Sequence, residues 1–333
     1  MPIPTKHFNL AAGLAVAFLV AACDGGTTAP VSSVTQMSQA EVNDAAVAFE
    51  DEADVSMGDL IYGGTMNSAG VSVSALAAPA LNSPPIPGLD CFVIEPFPPE
   101  DPDQDGVPTI VRLHFDPEPC VVRSGRGATF FFTGALAVAD PTPNTPAYDS
   151  DEEYDHFGHG VELPTGQSFK VIRNGHRSVR QDGNVIGATE AFASVHSVNN
   201  ERERRAATEW GLRFTAEQAI VFGQPLSSGS LTIEGTWAFS HEMGERIFRV
   251  ETVTPLRYDA TCTDVRPVRR FTEGEIHKYL MVNGQRRGVI ILTWVGCGQE
   301  PLREFHPLGE DGQPTDRPTD RPTDRPTGGG GTV

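Results

Sequence analysis

Turn dipeptides between short apolar runs constrain the fold of this chain more than any other sequence feature. Asn174-Gly175, Asp182-Gly183 and Asn283-Gly284 each separate two runs that can pair, and such dipeptides are the strongest short-range signal of a β-hairpin. A further turn at Gly244 joins the runs on either side of it. From Leu231 to Ser240 apolar and polar residues alternate, which predicts a half-buried antiparallel strand.

About a dozen such strands predict a mainly β chain with one antiparallel all-β domain, residues 90–304. The turns leave both a two-sheet sandwich and a partly closed up-and-down barrel open. Two runs, 129–138 and 289–295, are apolar on both faces, so we expect them to lie centrally in the sheet. The charged run 200–205 is expected to be a solvated loop or a single helical turn between strands.

The segments that flank this domain differ from it in composition. Ser38 and Glu41 form a capping box, which predicts a short helix that ends near Glu52. A Gly-, Ala-, Ser- and Pro-rich linker follows, so that residues 38–89 combine helix and linker. Residues 305–333 contain a Pro-Thr-Asp-Arg repeat that cannot bury a core, and we expect this tail to be disordered.

The N-terminus has the three parts of a secretory signal, residues 1–22. A weakly basic start at Lys6 is followed by an apolar run, 8–20, and by two small residues before Cys23. The apolar run is about 13 residues long, shorter than the roughly 20 that a membrane-spanning helix needs. The segment is therefore predicted to be a signal peptide and not a membrane span.

Val20-Ala21-Ala22-Cys23 resembles the lipobox of bacterial lipoprotein precursors. The resemblance covers the first two dozen residues and implies cleavage before Cys23, acylation of its thiol and new N-terminus, and stable anchoring in the cell envelope. Asp24 resembles an inner-membrane retention signal of enteric lipoproteins, although the outer membrane stays open. Residues 23–37 would then be a tether. An ordinary signal peptide, which leaves Cys23 a free thiol, is the alternative.

Acylation of Cys23 would leave four cysteines, an even number that suits disulfides in an oxidising compartment. Four cysteines allow three connectivities. We prefer Cys91 with Cys120 and Cys262 with Cys297, because each pair flanks a short run of strands. No two cysteines have the C-x-x-C spacing of a zinc site.

The net charge of the chain limits the classes of binding partner that we expect. The chain has a formal net charge of −19 at pH 7, and removal of residues 1–22 takes away only one charged side chain, Lys6. Such an acidic surface argues against nucleic acid and against electrostatic docking on anionic lipid. Membrane contact is therefore expected through acyl chains.

The segment Asp101-Pro-Asp103-Gln-Asp105-Gly106 has the spacing of the first half of a calcium loop. Over these six residues it resembles EF-hand and thrombospondin type-3 calcium loops. It departs from the EF-hand at the twelfth position, where Arg112 replaces the bidentate glutamate, and at Pro102. No cofactor is predicted apart from this weak calcium candidate, Asp101, Asp103 and Asp105, and a solvated acidic turn is the alternative.

Motifs for catalysis are absent from the sequence. It contains no G-x-S-x-G, P-loop, dinucleotide fingerprint or H-E-x-x-H. His156 and His159 form an H-x-x-H pair beside several acidic residues, which could hold a transition metal or be an exposed hairpin loop. His196 is expected to be a satisfied or exposed histidine of a strand.

Three functions follow, and the first is favoured. It is a non-enzymatic, acyl-anchored envelope lipoprotein whose β domain binds or scaffolds a partner outside the cytoplasm. The second is a carrier of a lipid or other apolar ligand, which needs an uncovered concave apolar face lined by Phe130, Phe132, Trp237 and Phe239. The third is a metal-dependent hydrolase that uses the region of His156 and His159.

Overall fold

The computed structural model describes residues 37–61, 91–116, 118–123, 127–199, 202–221, 226–241, 244–264 and 267–309. The predicted signal peptide, tether residues 23–36, residues 62–90 and tail residues 310–333 lie outside these ranges. Residues 305–309 of the predicted tail are described, and the first three of them belong to a strand and are not disordered. One helix, α1 (Gln39–Ile61), precedes thirteen strands. The strands are β1 (Phe92–Glu95), β2 (Ile110–Phe115), β3 (Cys120–Arg123), β4 (Thr129–Ala139), β5 (Ser150–Glu162), β6 (Ser168–Asp182), β7 (Val185–Val198), β8 (Arg202–Ala216), β9 (Gly229–His241), β10 (Gly244–Tyr258), β11 (Phe271–Val282), β12 (Gln285–Trp294) and β13 (Leu302–Pro307).

The strands form one continuous antiparallel sheet in which nearly every strand lies beside its neighbours in sequence. The exception is β3, which pairs with the first half of β4, whereas β2 pairs with the second half. Among the described strands, β1 and β13 end the path and each pairs with a single neighbour. The predicted antiparallel all-β fold is confirmed, as a single open sheet and not as two separate sheets.

Most predicted turns are confirmed, and one is wrong. Asp182-Gly183 joins β6 to β7, and Asn283-Gly284 joins β11 to β12. The predicted pairing of the runs on either side of Gly244 is also confirmed, but Gly244 itself is the first residue of β10 and pairs with His241. Asn174-Gly175, in contrast, lies inside β6. The φ of Gly175 is +143°, and a Cβ there would come within 2.0 Å of the carbonyl oxygen of Ala191 on β7. This glycine therefore permits a close approach between two strands and does not make a turn.

Three expectations about strand placement are corrected. The run 129–138 lies in β4, third from one end of the sheet, and 289–295 falls largely in β12, next to the edge strand β13. Neither is central in the strand order, and the coverage of the two strands differs. In β4, Phe130 is 37% exposed, whereas Val289 and Ile290, on opposite faces of β12, are 4% and 0% exposed, so both faces of β12 are covered there as expected. The charged run 200–205 is mostly strand, since β8 begins at Arg202.

Helix α1 begins as predicted but continues past the predicted end. The backbone N–H of Ser38 donates to Glu41 Oε2 (2.8 Å), and the N–H of Glu41 donates to Ser38 Oγ (3.3 Å), so the capping box is confirmed. The helix extends to Ile61, and residues 56–61 are therefore not linker. Met57 and Leu60 are each 1% exposed and continue its apolar stripe, which explains the extra turns.

The larger of two core clusters lies between α1 and one face of the curled sheet. Phe49 of α1 packs edge-on against Trp210 and Trp237, at 5.8 Å from each ring centroid. The predicted alternation in β9 is confirmed, because Leu231 and Ile233 face this core at 1% and 0% exposure. The folded domain thus includes α1 and extends to the end of β13, beyond the predicted limits of 90 and 304.

The two preferred disulfides, Cys91–Cys120 and Cys262–Cys297, are both present and confirm the local pairing. The first ties the residue before β1 to β3, and the second ties the connection after β10 to the one after β12. Within the described ranges, no helix has both the length and the apolar character needed to cross a membrane.

Candidate functional site

Buried charged side chains join α1 to the sheet, and Glu52 is their centre. Its side chain is fully buried, and its Oε1 accepts a hydrogen bond from Arg173 Nη2 on β6 (2.7 Å). Its Oε2 lies 2.7 Å from Ser194 Oγ and 2.8 Å from His196 Nε2, both on β7. The Nε2 of His196, a buried strand histidine, is thus satisfied, whereas its Nδ1 is buried and has no hydrogen-bond partner among the described residues. One helix carboxylate therefore binds two neighbouring strands.

The electrostatics of Glu52 favour its ionised form. Burial alone would raise the pKa of this carboxyl, but the charge of Arg173 and the contacts with His196 and Ser194 outweigh burial and lower the pKa to about 2. The Arg173 guanidinium also lies 4.9 Å from the ring centroid of Phe192. Glu52 is consequently a charged group in the core at neutral pH, and its partners are required to keep it there.

A second buried carboxylate, Glu190 on β7, contacts α1 about one helical turn beyond Glu52. Its Oε2 accepts hydrogen bonds from Ser56 Oγ of α1 (2.5 Å) and Trp210 Nε1 of β8 (2.8 Å). Its Oε1 lies 3.2 Å from Arg177 Nε on β6. Nearby, burial raises the pKa of Glu152, and the charge of Arg177 opposes this rise. Arg177 and Glu190 thus form a buried ion pair, although Arg177 Nε and Glu190 Oε1 make no hydrogen bond to each other.

Lys278 of β11 is another buried charged residue beside α1, with 0% exposure. Its Nζ donates a hydrogen bond to the carbonyl oxygen of Ala45 in α1 (2.9 Å). The same Nζ lies 4.2 Å from the ring centroid of Trp237 and 4.6 Å from that of Phe49. Burial lowers the pKa of this amine well below its ordinary value.

Ion pairs and one backbone contact hold the edges of α1 to strands far apart in the sheet. Glu41 pairs with Arg246 (3.4 Å), Asp44 with Arg204 (2.7 Å) and Glu50 with Arg303 (2.8 Å). Asp54 accepts a hydrogen bond from the backbone N–H of Val268 (2.6 Å). The contacts reach β10, β8, β13 and the short 3-10 turn Pro267–Arg270. The sheet therefore curls around the helix and contacts it on several sides.

These contacts hold α1 against the sheet. Each charged group just described has a partner within the fold, and those nearest to solvent, such as Asp44 and Arg204, keep side-chain exposures of 20% and 27%. Trp237 and Phe239, two of the four predicted ligand-lining residues, are 0% and 3% exposed beside α1. A ligand could reach them only if α1 moved away.

Phe130 and Phe132 lie elsewhere, at the β1–β5 end of the sheet. Phe132 packs on an apolar cluster whose aromatic members include Phe115 and Phe157, with a stacked contact of 5.6 Å between the Phe115 and Phe132 centroids. No residue of α1 belongs to this cluster. The four predicted residues therefore do not line one surface: Trp237 and Phe239 lie in the core beside α1, Phe132 packs on the second cluster, and Phe130 is exposed.

The predicted histidine site does not assemble among the described residues. His156 is exposed, has a φ of +49° and pairs with the neighbouring Asp155 (2.8 Å). His159 is half-buried, and burial together with the charges of Arg173 and His196 lowers its pKa to about 4. Within the described ranges, the one group of three or more His, Cys, Asp or Glu side chains with ligand atoms close enough to share a metal is Asp101, Asp103 and Asp105.

Sequence reasoning missed Glu52, Arg173, Glu190 and Lys278, although a signal was available for the strand residues. Lys278 stands between Ile276 and Leu280, and Glu190 between Ala188 and Phe192, so each is a charge at an inward position of an alternating strand. A charge there requires a buried partner. The sequence could not show that the partner is a helix more than 130 residues away.

Comparison with known proteins gives no relative: no protein-family model, curated protein or solved structure matches this chain.

Proposed function

We propose that this protein is an acyl-anchored lipoprotein of the bacterial cell envelope whose β domain binds or scaffolds a partner outside the cytoplasm. The anchor is Cys23, in the lipobox-like segment Val20-Ala21-Ala22-Cys23. Two disulfides within the domain support an oxidising compartment. The acidic composition of the chain is consistent with attachment through acyl chains and not through anionic headgroups.

The observation that carries this proposal is the way α1 is built into the domain. Residues 24–37 separate Cys23 from the helix cap at Ser38, and a fully extended chain of this length reaches about 50 Å. Because Glu52 and Phe49 fix α1 in the core, a tether that ends at Ser38 holds the whole sheet. The domain would then work within about that distance of the membrane, as a bound scaffold and not as a diffusing carrier.

The test is membrane fractionation of cells that express the wild type, Cys23→Ser or Asp24→Ser. We expect the wild type in the membrane fraction and Cys23→Ser in the soluble fraction or unprocessed. Asp24→Ser is the matched control, because it changes the adjacent residue and keeps the thiol; it should stay membrane-bound, in the same membrane or in the other one. If Cys23→Ser fractionates like the wild type, the anchor is refuted.

Transport of an apolar ligand is the second candidate, and one observation favours it. The apolar cluster that includes Phe115, Phe132 and Phe157 contains no residue of α1, and Phe115 and Phe157 are each 6% exposed, so a ligand would enter between the strands that cover them. A native mass spectrum of the Cys23→Ser protein purified from cells tests this function. A co-purified lipid that is lost in Phe132→Asp and kept in Phe239→Leu would support a carrier, and a spectrum without lipid would count against it.

A further inference from the structure

The connection between β1 and β2 brings three carboxylates together. Asp101, Asp103 and Asp105 each offer an oxygen atom, and the three atoms lie within 4.8 Å of one another. Like charges at such distances repel, so the arrangement is unfavourable unless protons or a cation compensate.

Backbone groups fix two of these carboxylates in place. Asp101 Oδ1 accepts a hydrogen bond from the N–H of Gln104 (2.9 Å), and its Oδ2 accepts one from Gly106 (3.0 Å). Asp105 Oδ1 accepts from the N–H of Val107 (2.7 Å), and its Oδ2 accepts from Ala147, in the connection between β4 and β5 (3.0 Å). An ionised carboxylate offers about four lone-pair positions, so both groups keep capacity for a further ligand.

Asp103 differs from these two carboxylates. Both of its oxygens are buried from solvent, and neither has a hydrogen-bond partner in the described part of the chain. A buried, unsatisfied carboxylate is costly, and it points to a ligand that the protein itself does not supply.

A fourth acid, Asp140, supplies independent evidence for a ligand. It follows the last residue of β4, is 5% exposed, and its Oδ1 accepts a hydrogen bond from the N–H of Thr142 (2.7 Å). Its Oδ2 is buried and has no partner among the described residues. The backbone N–H of Asp140 donates to the carbonyl oxygen of Pro108 (3.1 Å), which belongs to the β1–β2 connection that carries the three loop carboxylates. Asp140 therefore lies beside this loop, although it is not one of the three residues whose ligand atoms all lie within 4.8 Å of one another.

We propose that Asp101, Asp103 and Asp105 form a binding site for one calcium ion, with Asp140 beside them as the fourth ligand. All candidate ligands are carboxylate oxygens, which suit a hard cation and not zinc or copper. Calcium accepts six to eight oxygen ligands in flexible geometry, whereas magnesium demands a near-ideal octahedron and keeps much of its water. Irregular loop carboxylates with buried free oxygens fit the first ion better.

The proposed site differs from an EF-hand in where its last acid comes from, which accounts for an arginine, Arg112, at the twelfth position of the loop. The twelfth position of the loop lies on β2, where Arg112 pairs with Glu95 of β1 and Ala137 of β4, and it plays no part in the cluster. Asp140, from another connection, takes the place of the missing acid. The ion would therefore link the β1–β2 loop to the end of β4, and we expect calcium to stabilise this end of the sheet.

The experiment is calcium titration calorimetry on the full mature chain, purified and freed of metal with EGTA. We expect one site with a Kd of about 0.1–1 mM, as in extracellular calcium modules, and affinity for magnesium at least about tenfold weaker. Asp103→Asn and Asp140→Asn should each weaken calcium binding about tenfold or more. Glu100→Gln, which removes one exposed charge from the same loop, should leave the affinity unchanged.

Thermal unfolding separates loss of the site from loss of the fold. In EGTA, Asp103→Asn should melt at the same temperature as the wild type or higher, because the substitution removes repulsion. In 10 mM calcium, the wild type should gain about 5 °C and Asp103→Asn much less. Absence of calcium binding by the wild type up to 10 mM would overturn the proposal, as would wild-type affinity in Asp103→Asn. Unchanged affinity in Asp140→Asn would overturn the assignment of the fourth ligand.

Discussion

Substitution of Glu52 by glutamine tests how strongly α1 is held in the sheet. The change keeps the shape of the side chain and removes the charge that faces Arg173 at 2.7 Å. The difference between the ordinary carboxyl pKa of 4.5 and about 2 in the fold corresponds to about 3 kcal/mol at neutral pH. Removal of one partner from a buried ion pair costs about 3–5 kcal/mol, which agrees. We therefore expect Glu52→Gln to lower the free energy of unfolding by about 3 kcal/mol and Tm by about 6–10 °C.

The pH dependence has a defined sign. Because the pKa of Glu52 is lower in the folded state, its contribution is fully present above pH 4.5 and is lost as the pH falls toward 2. The stability difference between the wild type and Glu52→Gln should therefore shrink over this range. Urea unfolding followed by circular dichroism, at pH values from 7 to 3, measures it.

Two further variants make this test specific. Arg173→Met combined with Glu52→Gln should be about 2 kcal/mol more stable than the sum of the single losses predicts, because the double variant leaves no unpaired buried charge. Glu217→Gln is the control, since its pair with Arg257 is about half exposed, and it should change stability by less than about 0.5 kcal/mol. A loss below about 0.5 kcal/mol for Glu52→Gln, or a loss that does not depend on pH, would refute the reasoning.

Three other predictions concern the same fold. Lys278→Met should be at least as stable as the wild type at pH 7. Because burial lowers the pKa of Lys278, the wild type should gain stability as the pH rises toward 10.5, and the variant should lack this gain. A loss of more than about 1 kcal/mol in the free energy of unfolding at pH 7 would contradict this prediction. Gly134→Ala should lower the free energy of unfolding by more than about 2 kcal/mol, because φ is +77° and the new Cβ would lie 2.3 Å from the backbone of His156. Gly166→Ala has a similar φ of +83° but open space around the new Cβ, so it should cost about 1 kcal/mol. Equal losses in urea unfolding would refute the steric argument. Cys262→Ala should lower the free energy of unfolding by about 3–4 kcal/mol, since its disulfide closes a loop of 35 residues, and unchanged stability under oxidising conditions would contradict this.

Local sequence signals predicted the local structure well. The capping box at Ser38 and Glu41, the alternation in β9 and the hairpins at Asp182-Gly183 and Asn283-Gly284 all depend on residues close in sequence. Asn174-Gly175 misled the prediction, because the dipeptide has the same composition whether its glycine turns the chain or lets β7 approach β6. The local pattern alone does not separate these two uses.

Long-range partners account for the other differences. Arg204, in the charged run, lies in β8 because Asp44 of α1 binds it from 160 positions away. The helix continues past Glu52 because the sheet covers Met57 and Leu60. In the same way, the spacing of Asp101, Asp103 and Asp105 predicted the acidic loop, but Asp140 could join them only through the pairing of β2 with β4.

The mass of the N-terminal peptide of the membrane-extracted protein tests the proposed anchor most directly. After proteolysis, we expect a peptide that begins at Cys23, with a diacylglyceryl group on its sulfur and a third acyl chain or a free amine at its N-terminus. Asp24 should follow unmodified. A peptide that begins elsewhere, or one that begins at Cys23 with a free thiol, would contradict the account.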